Sequence, residues 1–316
     1  MKDVHFVVPA GIDDPRHPSG GNVYDRRLSQ ELVRLGWVVH EHLISTAGLT
    51  RALADIPDGC VVLVDGLIAD DSLVAETSRL RIVVLLHMPV GDDRELAILN
   101  AAAAVVTTSE WARDRVPAVR ASVATPGSDL APLAPGSSSG VELLCVAAVV
   151  RAKGQDVLLD ALARITHLDW RCTIVGALDL DPDFVAELRE TERVHFTGPL
   201  TGSALDAVFG VSDLLVSSSR RESYGMAVTE ALARGIPVVT TDVGGLPEAV
   251  GAAPDGSRPG LLFPSDDAGA LADRLERWLT DGELRVRLRQ AAACRRTTVG
   301  TWTQTAVRVA EVLARW

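Results

Sequence analysis

The segment RESYGMAVTEALARGIPVV, residues 221–239, places two glutamates eight positions apart. Just upstream, residues 211–217 form an apolar run that predicts a buried strand. Small and apolar side chains recur at helical spacing after Gly225, and Gly235 followed by Pro237 predicts the end of that helix. The segment is therefore expected to form a strand, a glycine loop, a helix and a second strand. Proteins of the α/β class bind ligands at such units, at the carboxyl ends of strands and beside helix N-termini.

The two glutamates are candidates for binding hydroxyl groups. Glu222 falls in the predicted loop and Glu230 roughly two turns into the helix. A carboxylate only accepts hydrogen bonds and can take two hydroxyl donors, as the vicinal diol of a ribose or hexose offers. Backbone N–H groups around Gly225 and Met226, at the positive end of the helix, suit a diphosphate. From spacing alone, a solvated loop glutamate and a surface helix glutamate remain an open alternative.

This spacing resembles the E-x7-E signature of the retaining GT-B glycosyltransferases in the GT4 family. The following residues 242–248, DVGGLPE, are similar to the family's G-G-x-P-E segment, and the resemblance covers nearly the whole chain. It implies that Glu222 approaches the hydroxyls of a donor sugar and that Glu230 binds the nucleotide ribose. Further donor contacts are expected from the loop and helix start between them, at Ser223, Tyr224, Gly225 and Met226.

Twelve short apolar runs alternate with helical patterns along the chain, which predicts parallel sheets. A segment rich in Pro, Gly and Ser at residues 130–140 separates two sets of six runs and predicts a linker. We therefore expect one domain over residues 1–135 and a second over residues 136–298. The runs are residues 4–8, 38–44, 61–64, 82–86, 104–107, 122–125, 143–147, 172–175, 194–196, 214–216, 237–240 and 260–263.

The family resemblance implies how these elements are arranged. It predicts an α/β protein of the GT-B class, with two Rossmann-like, doubly wound parallel-sheet domains that face each other across a cleft. The first domain would bind the acceptor and the second the nucleotide sugar. Residues 299–316 carry an apolar helical pattern, and the resemblance predicts that this last helix crosses back onto the first domain.

Composition and charge exclude several classes of function. No run of eighteen apolar residues is present, and residues 1–6 enter a strand instead of a signal peptide, so we expect a cytoplasmic protein without stable membrane insertion. The net charge of −11 argues against a nucleic-acid partner. The four cysteines have no metal-ligand spacing and are expected to be reduced.

Two further segments suit phosphate groups. Gly20 and Gly21 open a predicted helix after the first strand and let backbone approach a phosphate closely, although a plain β–α turn fits them as well. Lys153 begins the first helix of the second half and can neutralise a β-phosphate without a metal ion. The GT4 family usually has an arginine five residues earlier, where this chain has Ala148. Arg151 either replaces that arginine or is a solvated loop charge.

Polar residues at strand ends in the first half are candidates for sugar contacts. His87 ends the fourth apolar run, where a lone histidine is more often structural, but the resemblance implies that it lies beside the donor sugar. Asn22, Asp92 and Ser109 are expected to contact the acceptor. Residues 179–181 have the D-x-D form of a metal site, but they lie in a polar loop, and no metal is implied.

Together with these features, the family resemblance implies a metal-independent, retaining hexosyltransferase that uses a nucleotide-diphosphate sugar, UDP- or GDP-linked, and a small soluble acceptor. Glu222, Lys153 and His87 would be its catalytic groups, and no cofactor is expected. The alternatives are a transferase acting on a membrane lipid, a retaining sugar phosphorylase and a non-catalytic nucleotide-sugar-binding protein. The donor base and sugar, the acceptor, the pathway and the oligomeric state stay open at this point.

Overall fold

A computed structural model describes residues 2–45, 48–116, 121–188 and 191–316. The chain forms two compact units. Unit 1 contains Met1–Asp14, Ser19–Gly127 and Gly300–Trp316, and unit 2 contains Pro15–Pro18 and Ser128–Val299. Each unit is built on one six-stranded, fully parallel sheet.

The sheet of unit 1 has its strands in the order β2-β1-β3-β4-β5-β6. The strands are β1 (Lys2–Pro9), β2 (Trp37–Ile44), β3 (Val61–Asp65), β4 (Arg81–Leu86), β5 (Ala104–Thr107) and β6 (Ala121–Val123). The helices between them are α1 (Gly20–Arg34), α2 (Leu49–Ala54), α3 (Ser72–Glu76), α4 (Asp93–Ala101) and α5 (Glu110–Arg113). The central strands are continuously apolar because both faces of a parallel sheet are covered by helices.

The sheet of unit 2 has the order β12-β11-β10-β7-β8-β9. Its strands are β7 (Glu142–Val146), β8 (Arg171–Val175), β9 (Val194–Gly198), β10 (Leu214–Ser217), β11 (Val238–Thr241) and β12 (Gly260–Phe263). Its helices are α6 (Gln155–Arg164), α7 (Pro182–Glu187), α8 (Gly202–Val211), α9 (Met226–Ala233), α10 (Leu246–Val250), α11 (Ala268–Thr280) and α12 (Gly282–Arg295), with short 3₁₀ turns at Arg151–Lys153 and Arg296–Thr298.

Each strand order contains one point where the direction of winding reverses. In unit 1 the reversal lies between β1 and β3, and in unit 2 it lies between β7 and β10. At such a point the two loops that leave neighbouring strands run to opposite faces of the sheet, which opens a crevice at the carboxyl ends. Ligand-binding side chains are therefore expected in the loops after these four strands.

The last helix, α13 (Trp302–Leu313), belongs to unit 1. It starts with a capping box between Thr301 and Gln304, and its buried side is apolar. The Trp302 ring meets the edge of Tyr24 on α1 at a centroid distance of 5.7 Å. Gly127 approaches the backbone of Thr301 and Trp302 so closely that any Cβ at this position would overlap it. Packing of α13 thus attaches the C-terminal segment 300–316 to the rest of unit 1.

All twelve predicted apolar runs are strands, with ends shifted by at most two residues. Residues 130–140, which were predicted to form a linker, pack along unit 2 and belong to it. Ser137 donates hydrogen bonds from its backbone N–H and its hydroxyl to the fully buried carboxylate of Asp213. A buried carboxylate needs such donors, and this need fixes the segment in place. The described helices include none that is both long and apolar enough to cross a membrane.

Candidate active site

In unit 2, the two predicted catalytic residues form an ion pair at the winding reversal of the sheet. Lys153 ends the 3₁₀ turn that follows β7, and Glu222 lies in the loop that follows β10. The Nζ atom of Lys153 donates to Oε2 of Glu222 at 2.6 Å. Both side chains are partly exposed, at 27% for Lys153 and 18% for Glu222, so a ligand can still reach them.

Gly154 fixes the position of Lys153. Its φ of 68° lies in the left-handed region, and a Cβ at this residue would overlap the backbone carbonyl of Ser218. The Ser218 hydroxyl in turn donates to the Gly154 carbonyl oxygen at 2.7 Å. The loops after β7 and β10 are therefore in direct contact, and this contact requires a residue without a side chain.

A second glycine pair supports Glu222 from the other side. Gly244 and Gly245, which follow β11, pack against the backbone of Glu222 and Ser223, where added Cβ atoms would overlap the carbonyl oxygens. The Gly245 N–H donates to the Glu222 carbonyl oxygen at 3.1 Å. This contact explains the two glycines of the DVGGLPE segment, since they allow one loop to hold the backbone of the other.

Helix α9 begins next to this loop, and its N-terminus suits an anion. Gly225, with a φ of 107°, precedes it, and no side chain caps its N-terminus. The first backbone N–H groups of a helix carry partial positive charge and suit an anionic ligand. Ser223 and Met226 flank the turn and are partly buried. The ring of Tyr224 is buried in the apolar core of unit 2, so this residue could meet a ligand through its backbone.

Glu230 is half-buried in the second turn of α9.

Arg151 turns away from the Lys153–Glu222 pair. Its guanidinium donates to Oε2 of Glu187 at 2.6 Å and lies over the ring of Phe184. In this conformation Arg151 does not add a second cation beside Lys153.

In unit 1, His87 lies at the end of β4 in a cluster with two buried carboxyl groups. Its Nε2 is 2.8 Å from Oδ1 of Asp25 on α1, which is fully buried. Asp65, the last residue of β3, completes the cluster, whose nearest polar atoms all lie within 4.8 Å of one another. The His87 ring also meets Tyr24 edge to face and lies against Gly21.

The cluster changes the protonation of its members. Burial opposes the charge on His87, but the charge and hydrogen bond of Asp25, with a smaller contribution from Asp65, raise the pKa of the imidazole above its ordinary value. Burial, strengthened by the negative charge of Asp25, raises the pKa of Asp65 to about 7. Oδ2 of Asp25 is buried and accepts no hydrogen bond from the described residues, and a proton on Asp65 would supply one. Two carboxyls and a histidine are also groups that can hold a cation.

The other predicted residues of unit 1 have structural partners. Gly20 and Gly21 form the first turn of α1, where the Ser19 hydroxyl accepts from the Asn22 N–H. The Asn22 side chain donates to the Gly11 carbonyl at 3.3 Å. Ser109 is fully buried and caps α5, and exposed Asp92 caps α4 beside a cavity of about 150 Å³. The structure brings Gly21 and His87 together.

The model for the family "Glycosyl transferases group 1" matches residues 138–295, which is half of the chain. The chain belongs to this family. The match confirms the predicted GT4-type glycosyltransferase, and the matched residues include Lys153, Glu222 and Glu230.

Curated members of this glycosyltransferase family align with much of the chain. The D-inositol 3-phosphate glycosyltransferase of Pseudarthrobacter chlorophenolicus is 35% identical over 207 residues, which are 59% of this chain and 48% of that protein. The protein of the same name from Corynebacterium jeikeium is 30% identical over 291 residues, 84% of this chain and 63% of that protein. The chain thus spans about half to three fifths of the length of these relatives.

Solved structures confirm the GT-B fold. A sucrose-phosphate synthase from Thermosynechococcus elongatus superposes with a TM-score of 0.81 at 21% identity, covering 100% of this chain and 99% of that one. Anabaena HepE, solved in complex with UDP and glucose, gives a TM-score of 0.80 at 17% identity and covers all of both chains. The fold of this group 1 glycosyltransferase is therefore shared over its full length.

Asp25 and Asp65 are the residues of the site that the sequence did not reveal. Asp25 lies inside an amphipathic helix, where an acidic residue suggests a solvated position. Asp65 gave a weak signal, because it ends the apolar run VVLVD at the carboxyl end of a central strand. Ser218 carries no signal in the sequence either, since its role depends on a contact with the backbone of Gly154.

Proposed function

We propose that the chain is a metal-independent, retaining glycosyltransferase that moves a hexose from a nucleotide-diphosphate sugar to a hydroxyl of a small soluble acceptor. The observation that carries this proposal is the Lys153–Glu222 pair, 2.6 Å apart at the winding reversal of unit 2. The compact ammonium of Lys153 suits a diphosphate, and the carboxylate of Glu222 suits a sugar hydroxyl. The uncapped N-terminus of α9 suits a phosphate oxygen.

We assign the donor-binding roles to unit 2. Lys153 binds the diphosphate, together with the N–H groups at the start of α9. Glu222 uses Oε2 to hold Lys153 and has Oε1 for a sugar hydroxyl. Glu230, half-buried on α9, binds the ribose diol. The glycine contacts at Gly154 and Gly244 keep these groups in place before the donor binds, which lowers the cost of ordering them.

In the proposed reaction the bond between the anomeric carbon and the diphosphate oxygen breaks while the acceptor oxygen attacks the same face. Lys153 stabilises the negative charge that develops on the leaving diphosphate. The departing phosphate oxygen takes the proton of the acceptor hydroxyl, so no side chain has to act as general base. Configuration at the anomeric carbon is thereby retained.

In unit 1 we assign His87 to hydrogen bonding of a sugar hydroxyl. Asp25 contacts Nε2 of the ring, so Nδ1 is the nitrogen that we assign to the sugar hydroxyl. Because the pKa of His87 is raised, the imidazole carries its second proton more readily and can donate from Nδ1. Asp25 acts in this proposal as a positioning residue, in the way that a carboxylate orients a catalytic imidazole in other enzymes.

Metal independence is supported by the residues of unit 2. Lys153 supplies the positive charge that a divalent ion would otherwise provide. Within the described part of unit 2, no three metal-ligating side chains come together. We expect EDTA to leave the transfer rate unchanged within about twofold, and a requirement for added Mg²⁺ or Mn²⁺ would contradict this part of the proposal.

The relatives guide the choice of acceptor. The two relatives described above carry the name D-inositol 3-phosphate glycosyltransferase. A phosphorylated polyol of that kind is small, soluble and rich in hydroxyls, which agrees with the proposed acceptor class. Inositol 3-phosphate is therefore the first acceptor to try, with a membrane lipid as the competing class.

The test begins with thermal shifts against UDP-, GDP- and dTDP-linked sugars, followed by transfer assays with the donor that stabilises the protein. Glu230→Ala should abolish the donor-dependent shift, and the product anomer, read by NMR, should match the donor anomer. The matched control is Glu283→Ala, a glutamate in the first turn of α12 that should leave both readings unchanged. Donor binding without transfer to any hydroxylated acceptor would favour a non-catalytic nucleotide-sugar-binding protein, and an inverted product would refute retention.

A further inference from the structure

Three histidines and an aspartate meet on one face of the β1–β2 pair, near the start of β1. Asp3 and His5 lie on β1, and His40 and His42 lie on β2, with His5 directly opposite His40 in the register. The His5 ring stacks on His40 at a centroid distance of 4.8 Å and on His42 at 5.2 Å. This face lies at the edge of the sheet, whereas His87 follows the carboxyl end of β4.

We propose that Asp3, His5 and His40 form a binding site for a divalent transition-metal ion, with Zn²⁺ as the ion that fits the ligand set best. One ligand atom from each of the three residues lies within 4.8 Å of the others. Oδ1 of Asp3 is already 2.9 Å from Nε2 of His40. Ligands bound to one tetrahedral Zn²⁺ ion at about 2.0–2.1 Å are roughly 3.3 Å apart, so small side-chain rotations suffice.

His42 completes the site as an orienting partner for His5. Nδ1 of His5 is 2.9 Å from Nε2 of His42, so this contact occupies Nδ1 and leaves Nε2 of His5 as the nitrogen for the metal. Metal-binding histidines commonly have their second nitrogen fixed by such a hydrogen bond. The arrangement leaves two imidazole nitrogens and one carboxylate for the metal, with a fourth position open to water, because Asp3 and His40 are about half exposed.

Cys60 lines a cavity of about 300 Å³ that Asp3 and His5 also line, but its thiol is not among the grouped ligand atoms.

Binding would link β1 to its neighbour β2, which is an edge strand and is held by hydrogen bonds on one side only. The metal would therefore act as a clamp on the sheet edge of unit 1. This role is separate from the proposed transfer reaction, so the two proposals can fail independently.

The test uses the full chain without a polyhistidine tag, stripped of metal with EDTA and dialysed. Calorimetric titration with ZnCl₂ at pH 7.5 should show one ion per chain, and Co²⁺ should give the visible absorption of a four-coordinate N/O site. The double variant Asp3→Asn/His40→Ala should bind Zn²⁺ at least tenfold more weakly, and His42→Phe about tenfold more weakly. Zn²⁺ should raise the melting temperature of the wild-type chain and leave that of the double variant unchanged.

Two matched controls guard the interpretation. His167→Ala removes an exposed histidine of unit 2 that faces Glu276, and Cys60→Ser tests the nearby thiol, and both should bind Zn²⁺ as the wild type does. Melting temperatures in EDTA establish that the variants are folded, and Asp3→Asn alone serves if the double variant is not. Absence of saturable binding up to about 100 μM Zn²⁺, or equal affinity in the folded Asp3 and His40 variants, would overturn the proposal.

Discussion

Lys153 is one of only two lysines in the chain, the other being Lys2 at the start of β1. The remaining cations are arginines, and many of those in the described part of the chain form ion pairs with carboxylates. A lysine ammonium is a compact charge with three donors, and unlike a guanidinium it does not require planar, bidentate partners. That property suits a group that must hold Glu222 and, in our proposal, also meet a diphosphate.

The small number of lysines allows a direct test of Lys153. Reductive methylation with ¹³C-formaldehyde should give dimethyl-lysine signals from two lysines, besides the terminal amine. Addition of UDP or the preferred nucleotide should shift one of the two, and Lys153→Arg should remove that signal. Lys2→Arg is the matched control and should remove the other. Nucleotide binding that leaves both signals in place would refute contact with Lys153.

Lys153→Ala should also lower kcat by at least about 100-fold, the usual loss when one group that stabilises developing negative charge is removed. The fold should survive, because the side chain is partly exposed and the backbone contact between Gly154 and Ser218 does not depend on it. Steady-state kinetics with circular dichroism as the folding control would measure this effect. A loss smaller than about threefold would be incompatible with the assigned role.

The Asp25–His87 pair leads to a prediction about pH. Because Asp25 helps to raise the pKa of His87, Asp25→Asn should lower it, which the imidazole signals in an NMR titration would report. A raised pKa contributes stability that is complete below about pH 6.5 and is lost as the pH rises through the folded-state value. Asp25→Asn should therefore destabilise the protein more at pH 6 than at pH 8. Asp14→Asn, a substitution in the loop after β1, is the control and should leave the His87 titration unchanged.

Some site residues could be predicted from the sequence, whereas others are brought together only by folding. Lys153, Glu222 and Glu230 lie within one matched segment, where spacing along the chain carries the information. Asp25 and Asp65 become neighbours of His87 only when α1, β3 and β4 come together. The local sequence marks Asp65 only weakly, as the end of an apolar run, and does not mark Asp25, so the structure is needed to assign them.

At the scale of elements, the strands could be predicted because each is a short apolar run between breakers, and all twelve are present. The segment 130–140 could not, because Pro, Gly and Ser predict a loop but not what that loop contacts. Its attachment depends on Asp213, which is buried and bonded by Ser137. The loops after β7 and β10 likewise depend on backbone contacts that no side-chain pattern records.

Gly154 gives the element-scale prediction. Gly154→Ala combines an unfavourable positive φ with overlap at Ser218, so it should destabilise unit 2 by about 2–4 kcal/mol and displace Lys153. Gly256→Ala is the matched control, because Gly256 has a φ of 83° but open space around it, and should cost only about 1 kcal/mol. Urea unfolding measures both. Equal losses in the two variants would show that the Ser218 contact does not constrain this loop.

At the scale of the whole molecule, the two units differ in how the chain builds them. Unit 2 is nearly continuous, whereas unit 1 needs Gly300–Trp316 to complete its core. Trp302, Ala306, Val309, Val312 and Leu313 of α13 are all buried there. The family resemblance predicted the return of this helix, and the apolar pattern alone predicted only a helix.

Trp302→Ala should therefore destabilise unit 1 by about 3–5 kcal/mol, as expected for loss of a buried aromatic ring. The ring contact with Tyr24 is lost in this variant, and the core of unit 2 is untouched. Trp316→Ala is the control, because that ring is 38% exposed, and should change stability by less than about 1 kcal/mol. Hydrogen exchange should show faster opening in unit 1 only. Matching losses across both units would argue against this division of the core.

The return of α13 has a consequence for the order of events on the ribosome. The apolar side of α1, including Leu28 and Leu32, emerges early but acquires its covering helix only when residues 300–316 have been made. At 5–20 residues per second, the interval from residue 127 to residue 316 is on the order of ten to forty seconds. During that time almost all of unit 2 is synthesised and can fold, so unit 1 begins before unit 2 in the sequence and is completed after it.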